Sequence, residues 1–269
     1  MTNRISIGDI QLHVSDEGHG PPLLLVHGFP LDHTMWREQI RHFSGSRRVI
    51  APDLRGFGKS DVTPGTVTMQ RFADDLAKLL DALRVREPVC FCGLSMGGYI
   101  AWQFAELHRR RLGSLILCDT RAIADDAAGK RNRELVATRV LKDGPGFIAD
   151  SMPEKLFSRK THTNRAALVT ETQDVIRRSP AEGVAAAARG MAARPDVSDR
   201  LGAIDVPTLV IAGAEDAISP PEEMRRIADA IPAAQFIAVP DAGHMAPLEE
   251  PAAVNKAIQE FFKGPESRV

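Results

Sequence analysis

Short runs that are apolar at nearly every position, separated by longer stretches with helical spacing, restrict this chain more than any other feature. Leu23-Leu24-Leu25-Val26 lies between Pro-Pro and His-Gly, and Arg48-Val49-Ile50-Ala51 stops at Pro52-Asp53. Val89 to Leu94 leads into Ser-Met-Gly-Gly, and Leu115 to Cys118 ends at Asp119. Thr208 to Ala212 ends at Gly213, and Ala234 to Val239 ends at Pro240. Runs without alternation suit parallel strands buried on both faces. Between them Phe72, Leu76, Leu79, Leu80 and Leu83 recur at helix spacing in Met69 to Leu83. Gly98 to His108, Pro221 to Ile231 and Pro251 to Phe262 also read as helices, and Ser6 to Asp16 as a hairpin turning at Gly8-Asp9. Strand–helix alternation with short connections predicts an α/β fold: a mostly parallel central sheet flanked by helices.

One stretch departs from this rhythm. Arg121 to about Leu201 holds no convincing strand, only helical patterns broken at Gly144-Pro145-Gly146, Ser179-Pro180 and Arg194-Pro195. Insertions of that length are usually functional or disordered, and apolar residues such as Val136, Val140, Phe147, Ile148, Met152, Leu156 and Met191 favour a folded helical lid.

Composition excludes several classes. With 269 residues, 43% hydrophobic and 26% charged, the balance is ordinary for a globular protein. Lys and Arg total 34 against 35 Asp and Glu, a formal charge of −1, so no basic field draws nucleic acid or an anionic membrane. The longest apolar run, Pro21 to Val26, is far too short to span a bilayer, and Met1 to Ile5 lacks the start of a secretory signal. Three cysteines cannot make a disulfide scaffold. The expectation is a soluble, cytoplasmic protein.

Gly93-Leu94-Ser95-Met96-Gly97 is a G-x-S-x-G pattern set between a strand and a helix. A sharp strand-to-helix turn that lifts a serine clear of the sheet brings backbones close together, hence the small residues. Ser95 is therefore the candidate nucleophile. An oxyanion needs preorganised donors, and the N–H groups of Met96 and Phe29 are the candidates. Phe29 lies in His27-Gly28-Phe29-Pro30, after an earlier strand, where Gly28 lets the chain turn inward and Pro30 has no N–H. His27 is placed to brace that loop.

Of eight histidines, His244 alone follows the last strand, in Asp241-Ala242-Gly243-His244-Met245, at the strand ends where ligands gather in such sheets. Its orienting acid should follow another strand. Asp216 fits, with Glu215 beside it and Asp119 after Leu115–Cys118 as competitors. The order Ser95, Asp216, His244 suits this architecture.

These motifs, with Asp53-Leu54-Arg55-Gly56-Phe57-Gly58-Lys59-Ser60, resemble the α/β-hydrolase superfamily over nearly the whole chain. Within it the chain is most similar to bacterial arylesterases, cofactor-free haloperoxidase-type perhydrolases and enol-lactonases. The resemblance implies a core of residues 1–120 and 202–269, with residues 121–201 as a helical cap between the sixth and seventh strands. Ser95 stands where dehalogenases and many epoxide hydrolases carry aspartate, and the His27-Gly28 pair favours esterases over enol-lactonases.

The expected reaction is hydrolysis of a small-molecule carboxylic ester through an acyl-enzyme, without metal or cofactor. Lactone hydrolysis and perhydrolysis are alternatives, with C–C bond hydrolysis and a non-catalytic binding module behind them. Gly28, Phe147, Met152, Leu156 and Met191 are expected to line the substrate site, and Trp36 either lines it or packs a helix. Charges in the Asp53–Ser60 loop are expected to be structural. Cys90-x-Cys92 lies on one strand face with no second pair, so it reads as buried hydrophobes. The sequence leaves oligomeric state open.

Overall fold

The computed structural model describes residues 2–264. Eight strands form one sheet: β1 (Thr2–Ser6), β2 (Gln11–Glu17), β3 (Pro22–Val26), β4 (Arg48–Pro52), β5 (Val89–Leu94), β6 (Leu112–Cys118), β7 (Thr208–Gly213) and β8 (Gln235–Val239). Their order is β1-β2-β4-β3-β5-β6-β7-β8. The β1–β2 and β2–β4 pairs are antiparallel and the rest parallel, so the predicted α/β architecture holds. Every residue of β3, β5 and β7 is buried, which is why those runs are apolar throughout. β8 differs. It is the sheet edge, and only Val239 is fully buried along it.

Helices α1 (Arg37–Phe43), α2 (Met69–Ala82) and α3 (Met96–Leu107) connect the first strands. Between β6 and β7 come α4 (Ala127–Asp143), α5 (Gly146–Ser151), α6 (Pro153–Leu156), α7 (Arg159–Asn164), α8 (Ala166–Arg177) and α9 (Ala181–Ala192). The chain finishes with α10 (Pro221–Ala230), α11 (Ala246–Glu249) and α12 (Pro251–Phe261). α2 starts where Thr68 caps it by accepting from Arg71 N–H, and it buries Phe72, Leu76, Leu79 and Leu80 against α3 and the sheet. α3 begins two residues before the apolar pattern suggests, because Ser95 is itself the last residue before the helix. Among the described residues no helix is long and apolar enough to cross a membrane.

α9 ties the inserted helices to the sheet layer. Gly183, Ala185, Ala186, Ala187, Ala188 and Gly190 are buried, the helix packs along α4, and Ala186 C=O accepts from Val67 N–H at 3.1 Å. Gly183 meets Gly56 backbone to backbone: a Cβ on Gly183 would overlap Gly56 O and stand 2.6 Å from its Cα. Gly183→Ala should therefore cost about 1–3 kcal/mol in denaturant unfolding, as overpacking against fixed backbone does. Gly146→Ala, with nothing within 4 Å of its Cβ, should stay within about 0.5 kcal/mol. Equal losses at the two positions would contradict this packing.

Candidate active site

Ser95 joins β5 to α3 with φ 53 and ψ −111, a conformation that non-glycine residues rarely adopt and that surrounding contacts must hold. The holding contacts are backbone ones. Ser95 N–H donates to Cys118 C=O at 3.0 Å, and Thr120 Oγ1 donates to Ser95 C=O at 2.7 Å. The glycines around it permit the approach: a Cβ on Gly93 would lie 2.5 Å from Gly97 C, and one on Gly97 would overlap Val26 O.

The β3 loop lies against this turn. A Cβ at Gly28 would stand 2.7 Å from Leu94 Cδ2 and 3.4 Å from Ser95 Cβ. His27 is fully buried; its Nδ1 contacts Gly28 C=O at 2.9 Å and its Nε2 accepts from Leu54 N–H at 3.0 Å. Accepting at Nε2 fixes the proton on Nδ1, and burial, outweighing the Gly28 contact, lowers the pKa of the ring and keeps it neutral. His27 thus braces the loop, as its position suggested. Among the described residues neither Phe29 N–H nor Met96 N–H has a hydrogen-bond partner. Met96 follows Ser95 directly, and Phe29 follows Gly28, the glycine packed against the Ser95 turn.

Asp216 and His244 follow β7 and β8 and meet with Asp216 Oδ2 2.8 Å from His244 Nδ1, both side chains almost wholly buried. Asp216 is well supplied with donors. Ile218 N–H (2.7 Å) and Ser219 N–H (3.1 Å) reach Oδ1, and Ser219 Oγ reaches Oδ2 at 2.6 Å. Burial alone would favour its protonated form. The charge and hydrogen bond of His244, with Ser219 and Ile218, outweigh that and hold the carboxyl below its ordinary range. With the Nδ1 proton given to Asp216, the His244 lone pair is on Nε2, the atom a general base uses. Among the described residues no hydrogen bond links Ser95 Oγ to the ring; such bonds commonly tighten only around bound substrate. Glu215 is exposed and takes Arg159 N–H instead, whereas Asp119 is wholly buried beside the pair.

The segment from Leu156 to Thr161 lies directly on the His244 loop. Met245 N–H donates to Leu156 C=O at 3.2 Å, and Gly243 is pressed against the Phe157–Ser158 backbone. Glu249 secures the junction: buried, it accepts from Gly243 N–H (2.7 Å), Ser158 N–H (2.8 Å) and Thr161 Oγ1 (2.7 Å). Ser219, Thr120 and Glu249 carried no motif in the sequence.

Of the expected lining residues, Gly28 touches Ser95 and Leu156 touches the His244 loop. Met191 is buried in α9, and Met152 is half-buried between α5 and α6. Phe147 is half-buried under the Arg139 guanidinium, 4.1 Å from its ring centroid. Trp36 belongs to the hydrophobic core, on the helical turn His33–Trp36 packed against β3 and β4. The three cysteines are buried free thiols, and burial pushes Cys90 up to about 11.

The Asp53 loop is structural in the way its charges suggested. Asp53 accepts from His13 Nδ1 (3.0 Å), His33 Nδ1 (2.6 Å), His33 N–H (2.9 Å) and Lys59 N–H (2.9 Å). His13, His33 and Asp53 bring three potential metal-ligand atoms within 4.8 Å of one another, and the Nδ1 atoms of both histidines hydrogen-bond Asp53. Arg55 forks onto buried Asp75 at 2.7 and 2.8 Å. Burial opposes ionisation of Asp53, but the His33 hydrogen bond and charge and the two backbone donors lower it to about 2.

Residues 21–251 match the family model described as alpha/beta hydrolase fold. A thermophilic esterase from Thermogutta terrifontis, solved with malate bound, superposes with a TM-score of 0.95 at 49% identity, covering 98% of both chains. 3-Oxoadipate enol-lactonase 1 of Acinetobacter baylyi is 29% identical over 254 residues, 94% of this chain and 93% of the relative. A Mycobacterium tuberculosis protein described as a non-heme bromoperoxidase is 31% identical over 261 residues, 94% and 98% of the two chains.

The Asp53 network has a consequence for stability. A carboxyl at about 2 when folded and 3.8 when unfolded adds about 2 kcal/mol that is present above pH ~4 and disappears as pH falls through 2. Asp216 acts with the same sign. His33, whose pKa is raised because Asp53 overcomes its burial, contributes below its unfolded pKa and loses that contribution as pH rises past the folded one. Denaturant unfolding of Asp53→Asn between about pH 6 and pH 2 should therefore show a shallower acid loss than wild type. Parallel curves would contradict it.

Proposed function

We infer the reaction from one premise: the chain belongs to the alpha/beta hydrolase family. As a hydrolase of this fold, it is proposed to cleave small-molecule carboxylic esters through a Ser95 acyl-enzyme. The observation that carries the reading is the buried Asp216–His244 pair at 2.8 Å after β7 and β8, with the strained Ser95 turn following β5 of the same parallel sheet and the Phe29 and Met96 N–H groups uncommitted.

In this mechanism Ser95 Oγ attacks the carbonyl carbon while His244 Nε2 takes the hydroxyl proton. Asp216 keeps the ring in the right tautomer and stabilises its positive charge. Phe29 and Met96 N–H groups bind the oxyanion. The tetrahedral adduct expels the alcohol, which receives the proton from His244. Water, deprotonated by the same ring, then releases the acid and restores Ser95. The inserted helices act as a cap whose Leu156–Thr161 segment closes over the His244 loop and helps form the substrate pocket.

A lactone differs only in keeping the leaving alcohol tethered to the acyl group, and the enol-lactonase relative favours this second reading. The Thermogutta esterase, more similar at 49% identity, favours open-chain esters. In both the partner is a small molecule; the near-zero net charge offers no general attraction to nucleic acid or an anionic membrane.

Hydrolysis of p-nitrophenyl acetate, butyrate and octanoate by wild type and Ser95→Ala tests the reading. Wild type should turn over at least one ester, and the variant should lose on the order of 10⁴-fold or more in kcat. Turnover surviving in Ser95→Ala would remove Ser95 as nucleophile. Turnover of lactones alone would select the second reading.

A further inference from the structure

Between the inserted helices and the sheet layer lies a cavity that the proposed mechanism does not use. It holds about 390 Å³ and is walled by His13 from β2, His33 from the turn after β3, Lys59 from the Asp53 loop, and Arg178 and Ser179 just after α8. Ser95, Asp216 and His244 do not line it. Asp53 fixes the two rings. Its carboxyl, held at about 2, is ionised and can only accept, so Nδ1 of His13 and Nδ1 of His33 each carry the proton they share with it. What this network leaves over is Nε2 of each ring. Among the described residues neither Nε2 has a hydrogen-bond partner, and neither is among the unpartnered atoms sealed from solvent. His13 is only 7% exposed, and the opening it has is onto the cavity.

The charges in the wall select the sign of an occupant. Both acids are buried and taken: Asp53 accepts four hydrogen bonds, and Asp32 accepts from the N–H and hydroxyl of Thr34. The cations are the reverse. Lys59 is exposed and makes no ion pair among the described residues. Arg178 is exposed, and its guanidinium reaches only Asp32 Oδ2, at 3.7 Å, beyond hydrogen-bond distance. Burial opposes a charge on His33, but the hydrogen bond and charge of Asp53, with Asp32 behind them, outweigh it and raise its pKa, which puts a second N–H at Nε2.

We propose that this cavity is a second binding site, for a small molecule bearing an oxyacid anion (a phosphate or carboxylate group), held by His33 Nε2–H, the Lys59 ammonium and the Arg178 guanidinium. Such donors make charge-assisted hydrogen bonds to oxyanions, and the guanidinium fork matches two oxygens at once. His13 Nε2 accepts from a hydroxyl of the same group where there is one. A divalent cation is the other occupant that two imidazoles suit, but here it would meet three positive groups and no free carboxylate. The anion spans two parts of the molecule. Arg178 belongs to the inserted helices, whereas His33 and Lys59 belong to the sheet-layer loops, which Ser179 Oγ already joins by donating to Pro30 C=O at 3.1 Å. The inference is independent of the reaction at Ser95.

The test is calorimetric titration of the full chain with inorganic phosphate and with malonate at fixed ionic strength. One saturable site per chain is expected, and the tighter anion tells a phosphate-bearing from a carboxylate-bearing ligand. Lys59→Gln/Arg178→Gln should weaken binding on the order of 10-fold or more, as the loss of charge-assisted hydrogen bonds does. Both side chains are exposed, so the variant keeps its fold; Arg226→Gln/Lys256→Gln, exposed cations elsewhere, should bind as wild type does, and so should Ser95→Ala. Affinity for sulfate, whose own charge is constant near neutral pH, should rise as pH falls through the raised pKa of His33. Asp53, Asp32, His13, Lys59 and Arg178 face that ring, with His27 on the same loop, and among these types only imidazoles titrate near neutral pH. In wild type, phosphate should move the Nε2 resonances of His33 and His13 in long-range ¹H–¹⁵N spectra. Binding that does not saturate, or equal affinity in the two charge variants, would overturn the proposal. So would Zn²⁺ binding that weakens as pH falls while neither anion binds.

Discussion

The site depends on a crossing of backbones so tight that side chains are excluded from it. α3 starts against the end of β3, with Gly97 on Val26 O and Gly93 on Gly97, and Ser95 is forced to φ 53 between them. Strain of this kind costs of order 1–3 kcal/mol and persists only where neighbours over-determine it. Here Cys118 and Thr120, both from β6 and the residues after it, grip the Ser95 backbone on either side. The same crossing brings the β3 loop against the turn, where a Cβ at Gly28 would stand 3.4 Å from Ser95 Cβ.

Electrostatics are arranged around the other side of the sheet edge. Asp119, Asp216 and Glu249 are three buried carboxyls gathered about the His244 loop, each held differently. Asp216 is saturated with donors and stabilised as the anion. Glu249 is enclosed by two backbone N–H groups and a hydroxyl and ties the loop to the inserted helices. Asp119 has one donor and a bare oxygen. Since the Leu156–Thr161 segment shares Glu249 with the histidine loop, the inserted helices and the proposed base cannot move independently at that point.

Much of this was legible in the residues. Continuous apolar runs located the interior strands because those strands are covered on both faces, and the less buried β8 departs because it is an edge. G-x-S-x-G was readable because a close backbone crossing dictates small residues locally. That Asp216 and His244 meet was legible by position, since a parallel sheet brings together the residues after its strand ends. Ser219, Thr120 and Glu249 were not legible: each acts on a partner brought near by folding, and a serine, threonine or glutamate near a helix end looks like an ordinary cap. In the sequence Asp216 is preferred to Asp119 on chain order alone. Both follow strands, and only the count of donors around each carboxyl separates them. Trp36 was ambiguous for a similar reason, as its burial depends on the 3₁₀ turn settling onto β3 and β4.

The central claim is that Ser95 carries the acyl group, and covalent trapping tests it most directly. The protein would be treated with an alkyl fluorophosphonate, its intact mass measured, and the modified peptide sequenced by mass spectrometry. A single adduct on Ser95, suppressed by an ester substrate and absent from His244→Ala, is the expected result. An adduct on another residue, or full esterase turnover in protein that Ser95 labelling has saturated, would contradict the account.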